Sequence, residues 1–191
     1  MPDDRGQLVE DILRDSAALL EQSARRSVEG VLAAAETLQA AFAKGGQLLV
    51  FGNGGSALDA QHFAAELVGR FSRERRALAA IALTTDTSII TSVANDYSYD
   101  KVFTRQIEAL GRRGDVAWGI STSGASRNVL EALQFAKSRG LSTIALTGRD
   151  GGSIGAAADL HLNVPHQVTA RIQEVHRTLI HAVCELVERE V

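Results

Sequence analysis

A single cysteine, Cys184, stands among 191 residues, so no disulfide can form within the chain. Its place in an apolar helical run reads as a small core residue, and the cytosol is the natural compartment. No segment offers the roughly 18 consecutive apolar residues of a membrane span, and the opening Met-Pro-Asp-Asp-Arg carries no apolar stretch of signal-peptide length. A soluble cytoplasmic protein without a membrane partner is expected. Neither charge is in large surplus: 20 Lys and Arg against 23 Asp and Glu leave a net charge of -3, which gives no electrostatic argument for nucleic acid. The one basic cluster, Arg70, Arg73, Arg75 and Arg76, reads as a solvated loop after a helix. Repeats at solenoid period and low-complexity linkers are also missing, so one domain spanning residues 1–191 is the economical division.

What is present is a change of rhythm near residue 45. Before it, residues 7–23 and 26–44 carry apolar side chains at helical intervals, Leu8, Ile12, Leu13, Ala17, Leu19 and Leu20 in the first. That first helix has more apolar surface than an appendage needs, which predicts packing against another copy of the chain. From Gly45-Gly46 onward, strand and helix alternate, the pattern of a parallel sheet with crossover helices on both faces. Strands are expected near 47–52, 78–83, 115–120, 142–147 and 159–164, with helices near 57–68, 86–94, 99–110, 126–139, 152–157 and 168–190. The fold class is therefore α/β: a doubly wound, five-stranded parallel sheet flanked by helices, with an N-terminal helical extension over residues 1–45 and a core over 46–191. Ligands in such sheets bind beyond the carboxyl ends of the strands.

Two loops at those ends carry the chemistry. Gly52-Asn53-Gly54-Gly55-Ser56 joins the first strand to a helix, and its glycines let a ligand approach the backbone at a helix N-terminus. Ser121-Thr122-Ser123-Gly124-Ala125-Ser126 does the same after the third strand, with four hydroxyls able to hydrogen-bond a phosphate without a basic side chain. The second loop is the better phosphate site, which leaves the first to the rest of the ligand. On the helix after the glycine loop, His62 and Glu66 lie four residues apart and project from one face.

These residues resemble the sugar isomerase (SIS) domain family, and more narrowly the phosphoheptose isomerases, through Gly52 to Leu67, Ala94-Asn95-Asp96-Tyr97 and Arg171-Ile172-Gln173-Glu174-x-His176. The resemblance covers nearly the whole chain and implies an SIS-type sheet, flavodoxin-like or Rossmann-like. It implies conversion of sedoheptulose 7-phosphate to D-glycero-D-manno-heptose 7-phosphate through an enediol, the first step toward nucleotide-activated heptose. By the same match Glu66 is the general base and His181 its acid partner. Ser121, Thr122, Ser123 and Ser126 hold the phosphate, and Asn53, Gly54, Gly55, Ser56, Glu66, Asn95, Asp96 and Gln173 contact the sugar. The resemblance further implies one zinc per subunit on His62, Glu66, Gln173 and His181, and a homotetramer. Gln173 and His181 are eight residues apart, about 12 Å of rise and about 80° of turn on a helix. The expectation is therefore that a subunit interface completes the site. Ala170 stands where some relatives carry Asp, a role that Asp59 or Asp96 could fill. His161 and His166 have no motif support and read as loop or surface histidines.

Other readings fit less well. Gly52-x-Gly54-x-x-Ala57 matches a dinucleotide fingerprint, but Asp86 follows about thirty residues on instead of about twenty. A non-catalytic SIS adaptor that binds the replication initiator is the alternative, and in such adaptors the residues matching Glu66 and His181 are replaced. A sugar-phosphate-sensing regulator would need a DNA-binding module that the chain has no room for.

Overall fold

The structure, a computed structural model, describes residues 4–190. Helices α1 (Asp4–Arg26) and α2 (Val28–Ala43) come first. The core follows as β1 (Leu48–Gly52), α3 (Gly55–Val68), β2 (Ala80–Ala82), α4 (Thr87–Asp96), a 3-10 turn (Tyr99–Lys101) and α5 (Val102–Leu110). It ends with β3 (Val116–Ser121), α6 (Arg127–Ser138), β4 (Ser142–Gly148), α7 (Gly152–Ala157), β5 (Leu160–Val164) and α8 (Thr169–Glu188). All strand pairs are parallel, in the order β2-β1-β3-β4-β5. This is the flavodoxin-like order, whose direction of winding reverses between β1 and β3 and opens a crevice there.

Every residue of β1 and β3 is buried, which is why both read as unbroken apolar runs instead of alternating ones. Side chains nevertheless alternate between two layers. Leu48, Val50, Val116, Trp118 and Ile120 face α2, α3 and α8. Leu49, Phe51 and Ala117 face the layer of α4 to α7. Aromatic contacts mark both layers: Phe63 meets Trp118 edge-on at 5.1 Å between centroids, and Phe51 meets Phe103 at 5.2 Å.

Element boundaries move where backbone chemistry is local. Helix α3 begins at Gly55, two residues ahead of the expected start, because Gly54 takes a left-handed φ of 57° and completes the turn itself. The expected helix over 99–110 divides into the 3-10 turn and α5. Helix α1 lays little of itself on the core. Only Leu19 and Ser23 are buried, whereas Leu8, Val9, Ile12 and Leu13 are exposed. Three long-range ties hold it: Arg171 donates to the Ile12 carbonyl at 2.9 Å, the Ser16 hydroxyl donates to Glu174 Oε2 at 2.7 Å, and His166 lies 3.7 Å from Asp15. His166 is thus a loop histidine that pins α1. Among the described residues no helix is long and apolar enough to cross a membrane.

The segment after α3 differs most from its sequence reading. Arg75 is not solvated; its side chain is 3% exposed and donates to the carbonyls of Glu66, Leu67, Gly69 and Arg76 at 2.7–3.1 Å, closing the carboxyl end of α3. The cause lies more than a hundred residues away, where Glu188 ends α8. Its fully buried carboxylate pairs with Arg75 at 3.3 Å and accepts the backbone N–H groups of Phe71, Ser72 and Arg73 at 2.7–3.0 Å.

Two buried groups make the fold acid-sensitive. Burial alone would raise the Glu188 carboxyl, but the backbone donors from Ser72, Phe71 and Arg73 outweigh it and hold the carboxyl at about 2. Its contribution is present above the unfolded value near 4.5 and is lost as pH falls from there toward 2. His176, wholly buried, donates from Nε2 to the Thr147 carbonyl at 2.9 Å, and burial lowers its pKa to about 4. The fold therefore favours neutral imidazole, and that contribution fades between pH 6.5 and 4. Thermal unfolding followed by circular dichroism is expected to show Tm falling from pH 6.5 downward, and Glu188→Gln is expected to flatten the part of the curve below pH 4.5.

Candidate active site

The crevice between β1 and β3 receives both loops. Ser121 ends β3 with its side chain buried, and its Oγ lies 3.0 Å from Ser126 Oγ and 3.3 Å from Ser123 Oγ. Ser123 Oγ accepts the Ala125 N–H at 3.2 Å. Ser126 occupies the N-cap position of α6, yet its side chain makes no capping bond. The hydroxyls bond to one another and leave the helix N-terminus uncapped, an arrangement suited to an incoming anion.

The loop is clamped from behind. Gly124 has a left-handed φ of 67°, and a Cβ there would stand 2.4 Å from the Gly151 carbonyl oxygen. At Gly148 a Cβ would meet the Thr122 oxygen at 2.5 Å and Ile172 of α8 at 2.6 Å. The glycine loop is tied to the same region through side chains: Asn53 and Asn128 exchange amide hydrogen bonds at 2.9 Å, and the Tyr99 hydroxyl donates to Asn53 Oδ1 at 3.0 Å. At Gly55 a Cβ would collide with the Gln173 amide, 2.2 Å from Nε2. The glycine is what allows α8 to bring Gln173 across the loop.

Two turns further along α3, the ionisable residues converge. His62 Nε2 lies 2.7 Å from His181 Nε2 and 3.5 Å from Glu66 Oε1. A contact that short needs one imidazole to donate and the other to accept, so the pair holds its proton on one Nε2. Burial lowers the pKa of His181, and the neighbouring His62 lowers it further, against an opposing pull from Glu66. The Phe71 ring packs against His181, 5.4 Å between centroids. A cleft of about 550 Å³ opens beside the cluster, its wall including Gly55, Asp59, Ala170, Gln173, Arg177 and His181. Carboxylate, neutral imidazole and a roomy cleft together suit proton transfer on a small polar substrate.

A family model described as SIS domain matches residues 12–148. A phosphoheptose isomerase from Geobacter sulfurreducens is 56% identical over 187 residues, covering 96% of this chain and 99% of the relative. The chain belongs to the phosphoheptose isomerase family of SIS domains. Solved phosphoheptose isomerases agree in fold. One from Neisseria gonorrhoeae is 49% identical with a TM-score of 0.92, covering 96% of this chain and 98% of that one. One from Francisella tularensis is 35% identical with a TM-score of 0.92, covering 96% and 97%.

Against the phosphoheptose isomerase pattern, the structure divides the expected residues into groups. His62, Glu66 and His181 meet within one chain, so no second subunit is needed to bring them together. Gln173 lines the same cleft but lies against Gly55. Asn95 and Asp96 bond to each other at 2.8 Å on the exposed end of α4. Asp59 is buried in the wall of the same cleft; its Oδ1 accepts both Arg177 bonds, at 2.7 and 3.1 Å, and its Oδ2 has no hydrogen-bond partner among the described residues. His161 is more than a surface histidine: its ring lies over Gly151 and Gly155, and Nε2 is 2.6 Å from Thr147 Oγ1. His176, although part of the quoted motif, is a core group joining α8 to β4.

The donor types suit zinc, which favours imidazole nitrogen and carboxylate oxygen. The spacing does not form a cage. Two nitrogens on one tetrahedral zinc would stand about 3.3 Å apart, whereas those of His62 and His181 are at hydrogen-bond distance. Among the described residues no group of three or more His, Cys, Asp or Glu side chains is arranged to hold a metal ion. Sequence reasoning missed Asn128, Tyr99, Phe71, Arg177 and Glu188. Arg177 directly follows the motif that ends at His176, and Tyr99 and Asn128 each lie two residues beyond one, whereas Phe71 and Glu188 stand farther off.

Proposed function

We propose that this phosphoheptose isomerase family member converts sedoheptulose 7-phosphate to D-glycero-D-manno-heptose 7-phosphate. The observation that carries the reading is the meeting of His62, Glu66 and His181 beside one cleft, within a family whose relatives bear that name. In this account the hydroxyls of Ser121, Thr122, Ser123 and Ser126 and the α6 N-terminus grip the phosphate. The glycine loop and Gln173 contact the sugar chain, with Asn95 and Asp96 reached from its rim. The Glu66 carboxylate removes the proton from C1 of the open ketose as the C1–C2 double bond forms and the C2 carbonyl oxygen gains a proton. His181, with His62 as its proton partner, serves the two oxygens. Glu66, after exchanging that proton with solvent, then protonates C2 while O1 loses its proton and C1 becomes the aldehyde carbon. Neutral imidazole is the useful form of His181, since it can both give and accept a proton near pH 7.

Zinc is proposed on His62, Glu66, Gln173 and His181, whose imidazole and carboxylate donors are of the types it takes. When bound it would supply a Lewis acid beside the sugar oxygens. Metal analysis of the purified protein, with activity measured before and after chelation, tests the assignment. Activity unchanged by complete metal removal would leave the proton transfer to the side chains alone.

Self-association, as a tetramer, is proposed from the exposed Leu8, Val9, Ile12 and Leu13 of α1 and the groove of about 320 Å³ beside it, where Leu20, Val28 and Leu32 meet Leu179 and Leu186 of α8. A cytoplasmic location is proposed with it, in keeping with the single, free and buried Cys184. The adaptor alternative has no observation in its favour, because Glu66, Gln173 and His181 all stand in place. Conversion of sedoheptulose 7-phosphate, with unphosphorylated sedoheptulose as the control, is expected to depend on the phosphate. Equal turnover of both sugars would contradict the role given to the serine loop.

A further inference from the structure

Residues 69–76 make contacts that the proton-transfer scheme does not use. At one end, Arg75 Nη2 donates to the Glu66 carbonyl at 2.7 Å, fixing the backbone that carries the general base. At the other, the Phe71 ring lies against His181, with centroids 5.4 Å apart and planes inclined by 40°. Between them Glu188 gathers the N–H groups of Phe71, Ser72 and Arg73 and pairs with Arg75. Glu188 and His181 are seven residues apart on α8, two helical turns, and therefore share a face. The segment bridges the two elements that carry the catalytic pair, and both of its charged anchors are buried.

An imidazole turns about its Cβ–Cγ bond in broad, roughly two-fold wells. His62 and Phe71 both pack on His181, at 5.0 and 5.4 Å between centroids. The hydrogen bond shared with His62 constrains only Nε2; the packed Phe71 ring limits how far the imidazole can turn. We infer that Phe71 is a positioning residue for the isomerase reaction, held in place by the Glu188–Arg75 anchor so that His181 and Glu66 keep a fixed relation. The inference rests on the function proposed above. It assigns Phe71 no contact with the sugar, so its loss acts on turnover and not on substrate binding.

The test compares Phe71→Leu and Phe71→Tyr with the wild-type enzyme on sedoheptulose 7-phosphate, reading kcat, KM and Tm for each. A misplacement of about 1 Å can cost up to about a hundredfold in rate, so Phe71→Leu is expected to lower kcat about 10- to 100-fold. KM should stay within about twofold, and Phe71→Tyr, which keeps the ring, should restore most of the loss. Glu188→Gln, which keeps one acceptor oxygen but no charge for Arg75, should show the same kcat-selective defect in smaller measure. A Phe71→Leu enzyme with lowered Tm and unchanged kcat would overturn the inference, because a merely structural contact would behave that way. A defect confined to KM would overturn it too. An inactive, folded wild type would instead remove the function on which it rests.

Discussion

Replacing Glu66 by Gln is expected to lower kcat about 10²- to 10⁴-fold, the range for loss of a general base, with KM little changed. The amide keeps the volume and the polar contact toward His62 but cannot take a proton. Fold damage should be small, because the side chain is partly exposed and the backbone of Glu66 is held independently by Arg75. Steady-state kinetics set beside Tm separates the two effects. A Glu66→Gln enzyme keeping more than about a tenth of wild-type kcat, a loss too small for a base, would move that role to another residue.

The second large effect is expected at Gly124→Ala, through geometry instead of chemistry. A left-handed φ costs an L-residue roughly 1–2 kcal/mol, and the added Cβ would lie 2.4 Å from the Gly151 carbonyl oxygen, a backbone atom with little room to yield. The strand-to-helix loop has to shift, carrying Ser123 and Ser126 away from Ser121. A loss of about 2 kcal/mol lowers Tm by about 4–8 °C in a chain of this length. KM for the sugar phosphate should rise at least about tenfold, the equivalent of 1.4 kcal/mol of lost binding, and competition by inorganic phosphate should weaken in parallel. Ser126→Ala, which removes one hydroxyl without strain, should raise KM less and leave Tm nearly unchanged. Wild-type KM in a Gly124→Ala enzyme shown by Tm to be strained would mean that the phosphate binds elsewhere.

Much of this architecture could be read from residue order because its causes are local. The apolar runs Leu48 to Phe51 and Val116 to Ile120 are buried on both faces, and two-sided burial leaves a continuous hydrophobic signature. The serine loop was legible for a similar reason: its hydroxyls, its glycine and its helix N-terminus are consecutive. The convergence of His181 on His62 was not, since it depends on how α8 crosses α3. Spacing on a single helix sets Gln173 and His181 about two turns apart, but it cannot show that both line one cleft or that His181 needs no second chain to meet His62. Arg75 is the clearest failure. Four arginines within seven residues look like a solvated loop until Glu188, at the far end of the chain, gives one of them a buried partner. Histidines behaved likewise, for His176 and His161 are both claimed by Thr147, through its carbonyl and its hydroxyl.

The exposed apolar stripe of α1 fits the same reasoning from the other side. Its pattern is amphipathic, yet within one chain much of that stripe has no cover. Sedimentation of the wild type beside a Leu8→Glu, Leu13→Glu double variant is expected to show a tetramer reduced to smaller species.

The most direct test of the central claim is sedoheptulose 7-phosphate incubated with the purified protein in deuterium oxide and followed by NMR. The account predicts D-glycero-D-manno-heptose 7-phosphate carrying solvent deuterium at C2, and the loss of both product and label with Glu66→Gln. Folded wild-type protein that gives neither product nor exchange at C1 would contradict it.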